Sequence, residues 1–279
     1  MGTLFIKRLN ATHWWLHILL IIGSITTLMP FILMLSTSVK TPAEVLTTTP
    51  SFLPKLWRWE NYVDAVTQLP FARFYLNTVL VTVARVIGQL IFASMAAFDF
   101  ARLRFPGRNI LFIAILAVMM VPGQVTLIPN YIILKKLGWL NTYMGLIIPS
   151  LFTAFGTFLL RQFFMTIPKD IEDAAVLDGC NPFQVYWLVA LPLAGPALGA
   201  LGLLVTLWSW NDFLWPLIIT SSTNMQMLSV GIAYFQGQYI TNYTVMMAAA
   251  TIASLPMFII FMLTQKYLIE GITMSGLKQ

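Results

Sequence analysis

Long apolar runs broken by very few charges dominate this 279-residue sequence. Residues 18–39 contain no acidic or basic side chain, and across the chain 58% of residues are hydrophobic and 9% are charged. Soluble domains carry about 25% charged residues, so this chain has too little charge to cover itself with a hydrated surface. The sequence therefore predicts an integral membrane protein. Because the apolar runs are long rather than alternating, it predicts helices rather than the strands of a β-barrel.

Six segments are long enough to cross a bilayer, which needs about 20 apolar residues per helix. We expect an all-α membrane protein with six transmembrane helices in a single transmembrane domain, residues 1–279. The predicted spans cover about residues 18–39, 74–98, 110–128, 142–160, 193–219 and 245–263. Pro122-Gly123 and Pro129 are expected to break the third span.

The basic residues predict the orientation, because Lys and Arg favour cytoplasmic loops. With the N-terminus inside, nine basic residues fall in inner segments and six in outer segments. The short inner loop 101–108 contributes three of the nine. We therefore expect both termini in the cytoplasm, together with the loop 167–192 between spans four and five.

Acidic residues cluster in one place, the segment IPKDIEDAAVLDGCNPFQVYWLVALPLAGP at 167–196. The cluster consists of Asp170, Glu172, Asp173 and Asp178. A solvated amphipathic loop is one interpretation, and a helix that docks on another protein is the alternative. Ala174 and Ala175 favour docking, since small side chains let another surface approach the backbone.

The capping residues of this segment predict two short helices. Pro168 can open the first helix, whose positive N-terminal end suits the acidic residues. Gly179 fits the left-handed position that ends a helix. Asn181 followed by Pro182 fits the start of the second helix. The predicted order is helix, tight turn, helix and then the fifth span.

The same segment resembles the EAA loop of ABC-importer permeases. That pattern is Glu-Ala-Ala, three residues, Gly, and about nine residues later an apolar residue before x-Leu-Pro. This chain has Asp173-Ala174-Ala175, then Gly179, then Val189-Ala190-Leu191-Pro192. Four further stretches are similar to the carbohydrate-uptake, maltose-type branch of that family: FARLRFPGR (100–108), FLLRQFFMTIPKDIEDAA (158–175), WNDFLWPLI (210–218) and LIEGITMSGLKQ (268–279).

The resemblance implies a transport subunit rather than an enzyme. It implies no cofactor on this chain, with ATP and Mg on partner ATPase subunits, and a location in the cytoplasmic (inner) membrane. The implied partners are a second permease subunit, the ATP-binding ATPase subunits, an extracytoplasmic solute-binding protein and the lipid bilayer, with no nucleic acid.

The resemblance also implies which residues couple the chain to the ATPase. In the family this loop is a coupling helix whose acidic residue pairs with a basic residue of the ATPase subunit. Asp173 holds that position here, where Glu is usual, and Glu172 is the alternative. The family's tail packs near the ATPase, which would place residues 271–279 there. The implied coupling residues are Glu172, Asp173, Ala174, Ala175, Asp178, Gly179, Leu191 and Pro192.

Charged residues inside predicted spans are costly and suggest function. Asp212 follows Asn211 in span five, close to Trp208, and aromatic faces beside hydrogen-bonding groups suit a sugar. These three residues form a candidate substrate pathway; an interfacial aromatic belt is the alternative. Arg85 in span two is a candidate partner for Asp212.

The outer segment 40–73 has two interpretations. It is either an interfacial segment held by Trp57 and Trp59 at the lipid headgroups or a docking surface for an extracytoplasmic partner.

Other functional classes have less support in the sequence. The chain contains no GxxxxGK[ST] phosphate loop, and neither a nucleophile–base pair nor a metal-ligand cluster is evident, so no catalytic or metal site is predicted. A membrane enzyme acting on lipid would lack its acid and base. The chief alternative is a secondary transporter driven by an ion gradient, with Arg85 and Asp212 as relay charges.

Overall fold

The computed structural model describes residues 14–47, 51–237 and 241–276, with side chains as far as residue 265. Regular structure in these ranges is helical, and the β-type pairing found there is an isolated bridge between Gln236 and Thr241. The predicted all-α class is confirmed for this part of the chain.

The helices are numbered here in chain order. They are α1 (Trp14–Ser38), α2 (Pro42–Val45), α3 (Glu60–Thr67), α4 (Phe71–Arg102), α5 (Arg108–Met119), α6 (Gly123–Lys136), α7 (Tyr143–Ile147), α8 (Ala154–Phe164), α9 (Lys169–Leu177), α10 (Pro182–Val185), α11 (Leu191–Leu193), α12 (Gly195–Trp210), α13 (Leu214–Ile219), α14 (Leu228–Ala233) and α15 (Tyr243–Gly276). Short 3-10 turns lie at Ile148–Ser150 and Thr223–Met225, and a π-helical turn, Tyr186–Ala190, joins α10 to α11.

The described ranges contain between four and six candidate membrane spans, judged by the length and composition of their helices. Four stretches are long and apolar enough to cross a bilayer alone: Trp14–Ser38, Phe71–Arg102, Tyr143–Phe164 and Tyr243–Gln265. Two bent pairs reach that length only together, and counting each pair as one span gives six. The count of six spans therefore stays a prediction.

The first bent pair is α5 with α6, which meet at an angle of 100°. The expected break at Pro122-Gly123 is confirmed, since Pro122 takes an extended conformation (φ −58°, ψ 130°) at the start of α6. The residue before a proline is also disfavoured in the helical region. Pro129 does not break the chain as expected, because it lies inside α6. The helix therefore continues without the hydrogen bond that its missing N–H would donate.

The predicted fifth span, 193–219, is not one continuous helix. α12 ends at Trp210, and the chain resumes as α13 only at Leu214. The Asn211 side chain helps to end α12, because its Nδ2 donates to the carbonyl oxygen of Leu207 at 2.8 Å. At its other end α12 meets the helical stretch 182–193 at an angle of 75°.

Packing divides the chain into two compact units, one of residues 1–69 with 232–253 and the other of residues 70–231 with 254–279. In the first unit, the buried Asn61 of α3 donates to the carbonyl oxygens of Ser38 at 2.9 Å and Lys40 at 2.8 Å. These bonds fix the end of α1 to α3. Most of α1 itself is exposed and apolar on all sides, as expected of a helix that faces lipid.

In the second unit, α4 packs along α8 and α12. The contact contains many small residues, which let membrane helices approach closely. Gly156 of α8 shows how close: a Cβ there would lie 3.1 Å from the Cβ of Ala93 in α4 and 3.2 Å from Leu201 of α12. One buried core cluster of this unit comprises Ala93, Ala97, Phe98, Leu160, Phe164, Ile167, Val185, Tyr186, Ala190, Ala194, Ala197, Leu201 and Val205, and a second comprises Val81, Leu134, Leu146, Ile219 and Met227.

Candidate coupling helix and polar pathway

The segment that carries the acidic cluster has the predicted helix–turn–helix order. Pro168 precedes α9 in an extended conformation, and Gly179 lies in the left-handed region with φ 89°. Asn181 then caps α10, because its side chain accepts from the backbone N–H of Gln184 at 2.9 Å. The Gln184 side chain accepts in return from the N–H of Asn181 at 2.8 Å, with Pro182 at the first helical position. All three capping predictions are confirmed.

Gly179 is required by the turn rather than by close packing. The N–H of Cys180 donates to Ala175 O at 3.0 Å, and the N–H of Gly179 donates to Val176 O at 3.0 Å. This is the pattern in which a left-handed residue closes a helix. A Cβ at Gly179 would have no neighbour within 4 Å, so the surface beside the turn is open.

A buried ion pair fastens α9 to the end of α4. Arg102 Nε lies 2.6 Å from Glu172 Oε1, and the two side chains are 9% and 10% exposed. Arg102 Nη2 also donates to the carbonyl oxygen of Ile167 at 2.7 Å, just ahead of α9. Charge-assisted hydrogen bonds of this kind are stronger than neutral ones. The Glu172 carboxylate is therefore engaged within the chain.

A second bond ties the segment to α4 through Tyr186, the first residue of the π-helical turn. The Tyr186 hydroxyl lies 2.7 Å from Ser94 Oγ, in a buried position. Ala190 is fully buried beside them, whereas Leu191 is partly buried and Pro192 is exposed. The loop thus contacts α4 at two points about two helical turns apart along that helix.

The outer face of α9 carries both charge and apolar surface. Asp173 and Leu177 are four residues apart and share a face, and both are exposed, Leu177 by 88%. Ala174 and Asp178 are exposed beside them. This face combines a carboxylate, a small residue and a projecting leucine, as a docking helix requires.

The second candidate region centres on Arg85, which is 4% exposed within α4. Arg85 Nη1 lies 2.8 Å from Asp212 Oδ2, so the predicted pairing is confirmed. The Arg85 Nε and Nη2 groups both donate to the carbonyl oxygen of Leu146, at 3.0 and 2.7 Å. Ser209 Oγ lies 3.4 Å from Nη1. Every nitrogen of this guanidinium therefore has an acceptor.

Asp212 lines two cavities. The larger, about 380 Å³, is lined by Arg85, Gln89, Pro149, Ser150, Thr153, Val205, Trp208, Ser209 and Asp212. The smaller, about 200 Å³, is lined by Gly123, Gln124, Leu127, Asn130, Asp212, Leu214 and Trp215.

Two of the three predicted pathway residues lie at these cavities. Trp208 and Asp212 line the larger one, whereas Asn211 is exposed and lines neither. The sequence reasoning missed Gln89, Gln124 and Asn130. Gln89 follows Arg85 by one helical turn, and that spacing within an apolar span is a signal that could have found it.

Comparison with known proteins places the chain in a family. Residues 89–273 match the family model described as binding-protein-dependent transport system inner membrane component. The arabinooligosaccharides transport system permease protein AraQ of Halalkalibacterium halodurans is 33% identical, over 81% of this chain and 82% of that protein. The sn-glycerol-3-phosphate transport system permease protein UgpE of Brucella suis is 30% identical, over 92% of this chain and 94% of that protein.

A solved structure agrees in fold with nearly the whole chain. It is a chain of a bacterial ABC transporter involved in the import of the acidic polysaccharide alginate, with a TM-score of 0.81 and 27% identity. The match covers 95% of this chain and 97% of the other. The resemblance drawn from the sequence is thereby confirmed: this chain belongs to the family of inner membrane components of binding-protein-dependent transport systems.

Proposed function

We propose that this chain is a permease subunit of an ABC importer that brings a carbohydrate across the cytoplasmic membrane, using ATP hydrolysed by separate subunits. Several of its relatives are named as transport permeases for oligosaccharides or glycerol phosphate. The chain does no covalent chemistry in this account. Its termini and the loop 167–192 lie on the cytoplasmic side, as the basic residues predict.

The observation that carries this proposal is the construction of α9. One face of the helix is tied into the chain through Glu172, and another face presents Asp173 and Leu177 to solvent. A helix held rigidly on one side and exposed on the other can pass the movement of a bound partner to the spans. We assign the partner to an ATPase subunit that binds ATP and Mg.

Asp173 is the residue that we expect to pair with a cation of the ATPase. Glu172, the alternative from the sequence, already has Arg102 at 2.6 Å. Asp173 has a shorter side chain than the glutamate usual in the family, and the exposed Ala174 lets the partner approach closely enough to meet it. Asp178 and the Gly179 turn extend the same surface.

Movement of α9 would reach the membrane through α4. The Arg102–Glu172 ion pair joins α9 to the end of that helix. The Ser94–Tyr186 bond joins the π-helical turn of the same loop to the helix about two turns earlier. α4 also carries Arg85, which lies in the polar region with Asp212. One helix thus connects the coupling segment to the proposed substrate pathway.

The remaining partners follow from the family and from segments with exposed aromatic groups. A second permease subunit would complete the pathway. A solute-binding protein would dock on the outer side, where Trp57 and Trp59 are stacked and about 60% exposed. Residues 271–279, proposed from the sequence to contact the ATPase, lie outside the described side chains.

The Arg85–Asp212 pair also suits a secondary transporter, because paired charges inside membranes often relay protons or ions. That alternative needs no ATPase partner and gives the exposed face of α9 no role. Disrupting the coupling turn therefore distinguishes the two functions.

The test replaces Gly179 with Phe in the chain co-expressed with its partner subunits. Gly138→Phe is a matched control, because Gly138 also has a positive φ (69°), no neighbour within 4 Å and the same closing bonds at the end of α6. We expect Gly179→Phe to abolish co-purification of the ATPase and ATP-driven uptake, and Gly138→Phe to preserve co-purification. Normal ATPase binding and uptake in Gly179→Phe would refute the proposal.

A further inference from the structure

Asp212 lines two cavities in the described part of the chain. The larger, about 380 Å³, is within the range of about 300–1,000 Å³ usual for small-molecule sites. Its wall combines the Trp208 ring, 52% exposed, with amide and hydroxyl groups. An aromatic face beside such groups matches the apolar faces and hydroxyl edges of a sugar ring.

The two charged residues at these cavities differ in how far their side chains are exposed. Of the residues that line them, only Arg85 and Asp212 are charged. Arg85 is 4% exposed and gives its donors to Asp212, Ser209 and Leu146 O. All nitrogens of its guanidinium therefore have acceptors within the chain, and its positive charge is paired with Asp212.

The Asp212 side chain is more exposed to the cavities than that of Arg85. Its side chain is 23% exposed, and only Oδ2 contacts Arg85. Asp212 also lines the smaller cavity, which has no basic residue in its wall and presents the amides of Gln124 and Asn130. A negatively charged ligand in the smaller cavity would meet this carboxylate and no cation, whereas in the larger cavity it would meet both members of the ion pair.

We propose that the two cavities form consecutive sugar subsites that accept uncharged, hydroxyl-rich carbohydrates and disfavour anionic ones such as uronates or sugar phosphates. This inference rests on the proposed function and assigns its substrate class. Asp212 supplies an acceptor for sugar hydroxyls and repels anions. Gln124 and Asn130 supply donors and acceptors without charge, and Trp208 supplies a stacking face.

The test measures binding to the purified complex in nanodiscs without the solute-binding protein, so that the selectivity of that protein does not contribute. The probes are digalacturonic acid and its dimethyl ester, which differ in charge, together with the neutral disaccharides maltose, xylobiose, arabinobiose and chitobiose. Saturation-transfer NMR reports which of them bind.

In the wild-type complex we expect neutral sugars to bind and the ester to bind about tenfold more tightly than the free acid, a difference one nearby like charge can impose. Asp212→Asn should bring the ratio of the two affinities close to one. Asp212→Glu, which keeps the carboxylate, should leave the ratio near its wild-type value. Asp64→Asn, which removes a carboxylate from an exposed ion pair on α3, should leave it unchanged. Gln124→Leu, which keeps both charges, should weaken binding of the neutral sugars.

Equal or tighter binding of the free acid by the wild type would overturn the inference, as would a ratio insensitive to Asp212. Binding of no neutral sugar by a complex that retains its ATPase subunits would also overturn it. In each of these cases the proposed function would stand, since that function is tested separately by the Gly179 variants.

Discussion

Single residues carry the exposed coupling surface, and Asp173 is the clearest case. Its carboxylate is exposed on α9, one position after a glutamate that is buried in an internal ion pair. We therefore predict that Asp173→Lys sharply reduces binding of the ATPase subunits, measured by co-purification, with the chain still inserted in the membrane. Asp170→Lys, at another exposed acidic position of the same helix, should cause a smaller loss. Equal losses would mean that the helix responds only to net charge.

Gly231 offers a test of packing in the second unit. A Cβ at this position of α14 would lie 2.2 Å from Cδ2 of Phe74, a fully buried side chain. Overpacking costs about 1–3 kcal/mol, so Gly231→Ala should lower the midpoint of thermal unfolding of the purified protein.

Gly202→Ala is the control for this change. The added Cβ would meet Leu90 at an ordinary 3.6 Å, and alanine favours the helical conformation over glycine by about 1 kcal/mol. The midpoint should therefore stay the same or rise. A fall as large as that of Gly231→Ala would contradict the packing account.

At the scale of elements, the link between α4 and α9 is the central feature. Removing one partner of a buried ion pair typically costs about 3–5 kcal/mol. We predict that Arg102→Glu and Glu172→Arg each reduce uptake more than they reduce ATP hydrolysis, because the motor would then drive a helix no longer fastened to α4. The exchanged double variant should recover coupled uptake, measured as sugar imported per ATP hydrolysed.

The Arg58–Asp64 pair provides the contrast. Its atoms are 3.5 Å apart and its side chains are 42% and 32% exposed, and surface pairs of this kind contribute about 0–1 kcal/mol. Breaking it by Arg58→Gln should therefore lower the midpoint of thermal unfolding much less than Arg102→Glu does. If neither Arg102→Glu nor Glu172→Arg changed the amount of sugar imported per ATP hydrolysed, the ion pair between α4 and α9 would have no role in coupling.

The segment after α1 contains an acid that should respond to pH. The backbone N–H of Thr41, at 3.1 Å, and that of Lys55, at 2.6 Å, donate to Glu44 and hold its pKa below the ordinary value of 4.5. A lowered pKa means that the ionised carboxylate stabilises the fold above pH 4.5, and that this contribution is lost as pH falls through the folded pKa.

Glu44→Gln should therefore make the segment open more readily at pH 7. The two proteins should open equally readily once the pH has fallen below the folded pKa of Glu44. Hydrogen exchange of the Thr41 and Lys55 amides, followed from pH 7 downwards, measures this. Equal exchange in both proteins at pH 7 would contradict it.

Local features were predictable from the sequence, whereas contacts between distant segments were not. Gly179, Asn181 and Pro182 act within a few residues of themselves, so their capping roles follow from residue type and spacing. The Arg102–Glu172 pair joins positions 70 residues apart, and several acids and arginines were equally plausible partners. Arg85 and Asp212 could be paired in advance because few other charges lie inside the spans.

At the scale of the whole molecule, the two candidate regions share one helix. α4 holds Arg102 at one end and Arg85 in its middle, so the same element contacts the coupling segment and lines the polar cavities. The break after Trp210 places Asp212 outside regular helix, and Asp212 lines both cavities. The sequence predicted a continuous span there, because apolar residues resume at once on the far side of the Asn-Asp pair.

In the proposed function, ATP hydrolysis on partner subunits drives transport through this chain. The most direct measurement is uptake of a radiolabelled neutral oligosaccharide into proteoliposomes that contain the complete complex, with ATP inside and the solute-binding protein outside. Ion gradients are collapsed by ionophores in a parallel sample. The account predicts uptake that requires both ATP and the binding protein and persists without gradients. Uptake driven by an imposed ion gradient in the absence of ATP would contradict it and would favour the secondary transporter.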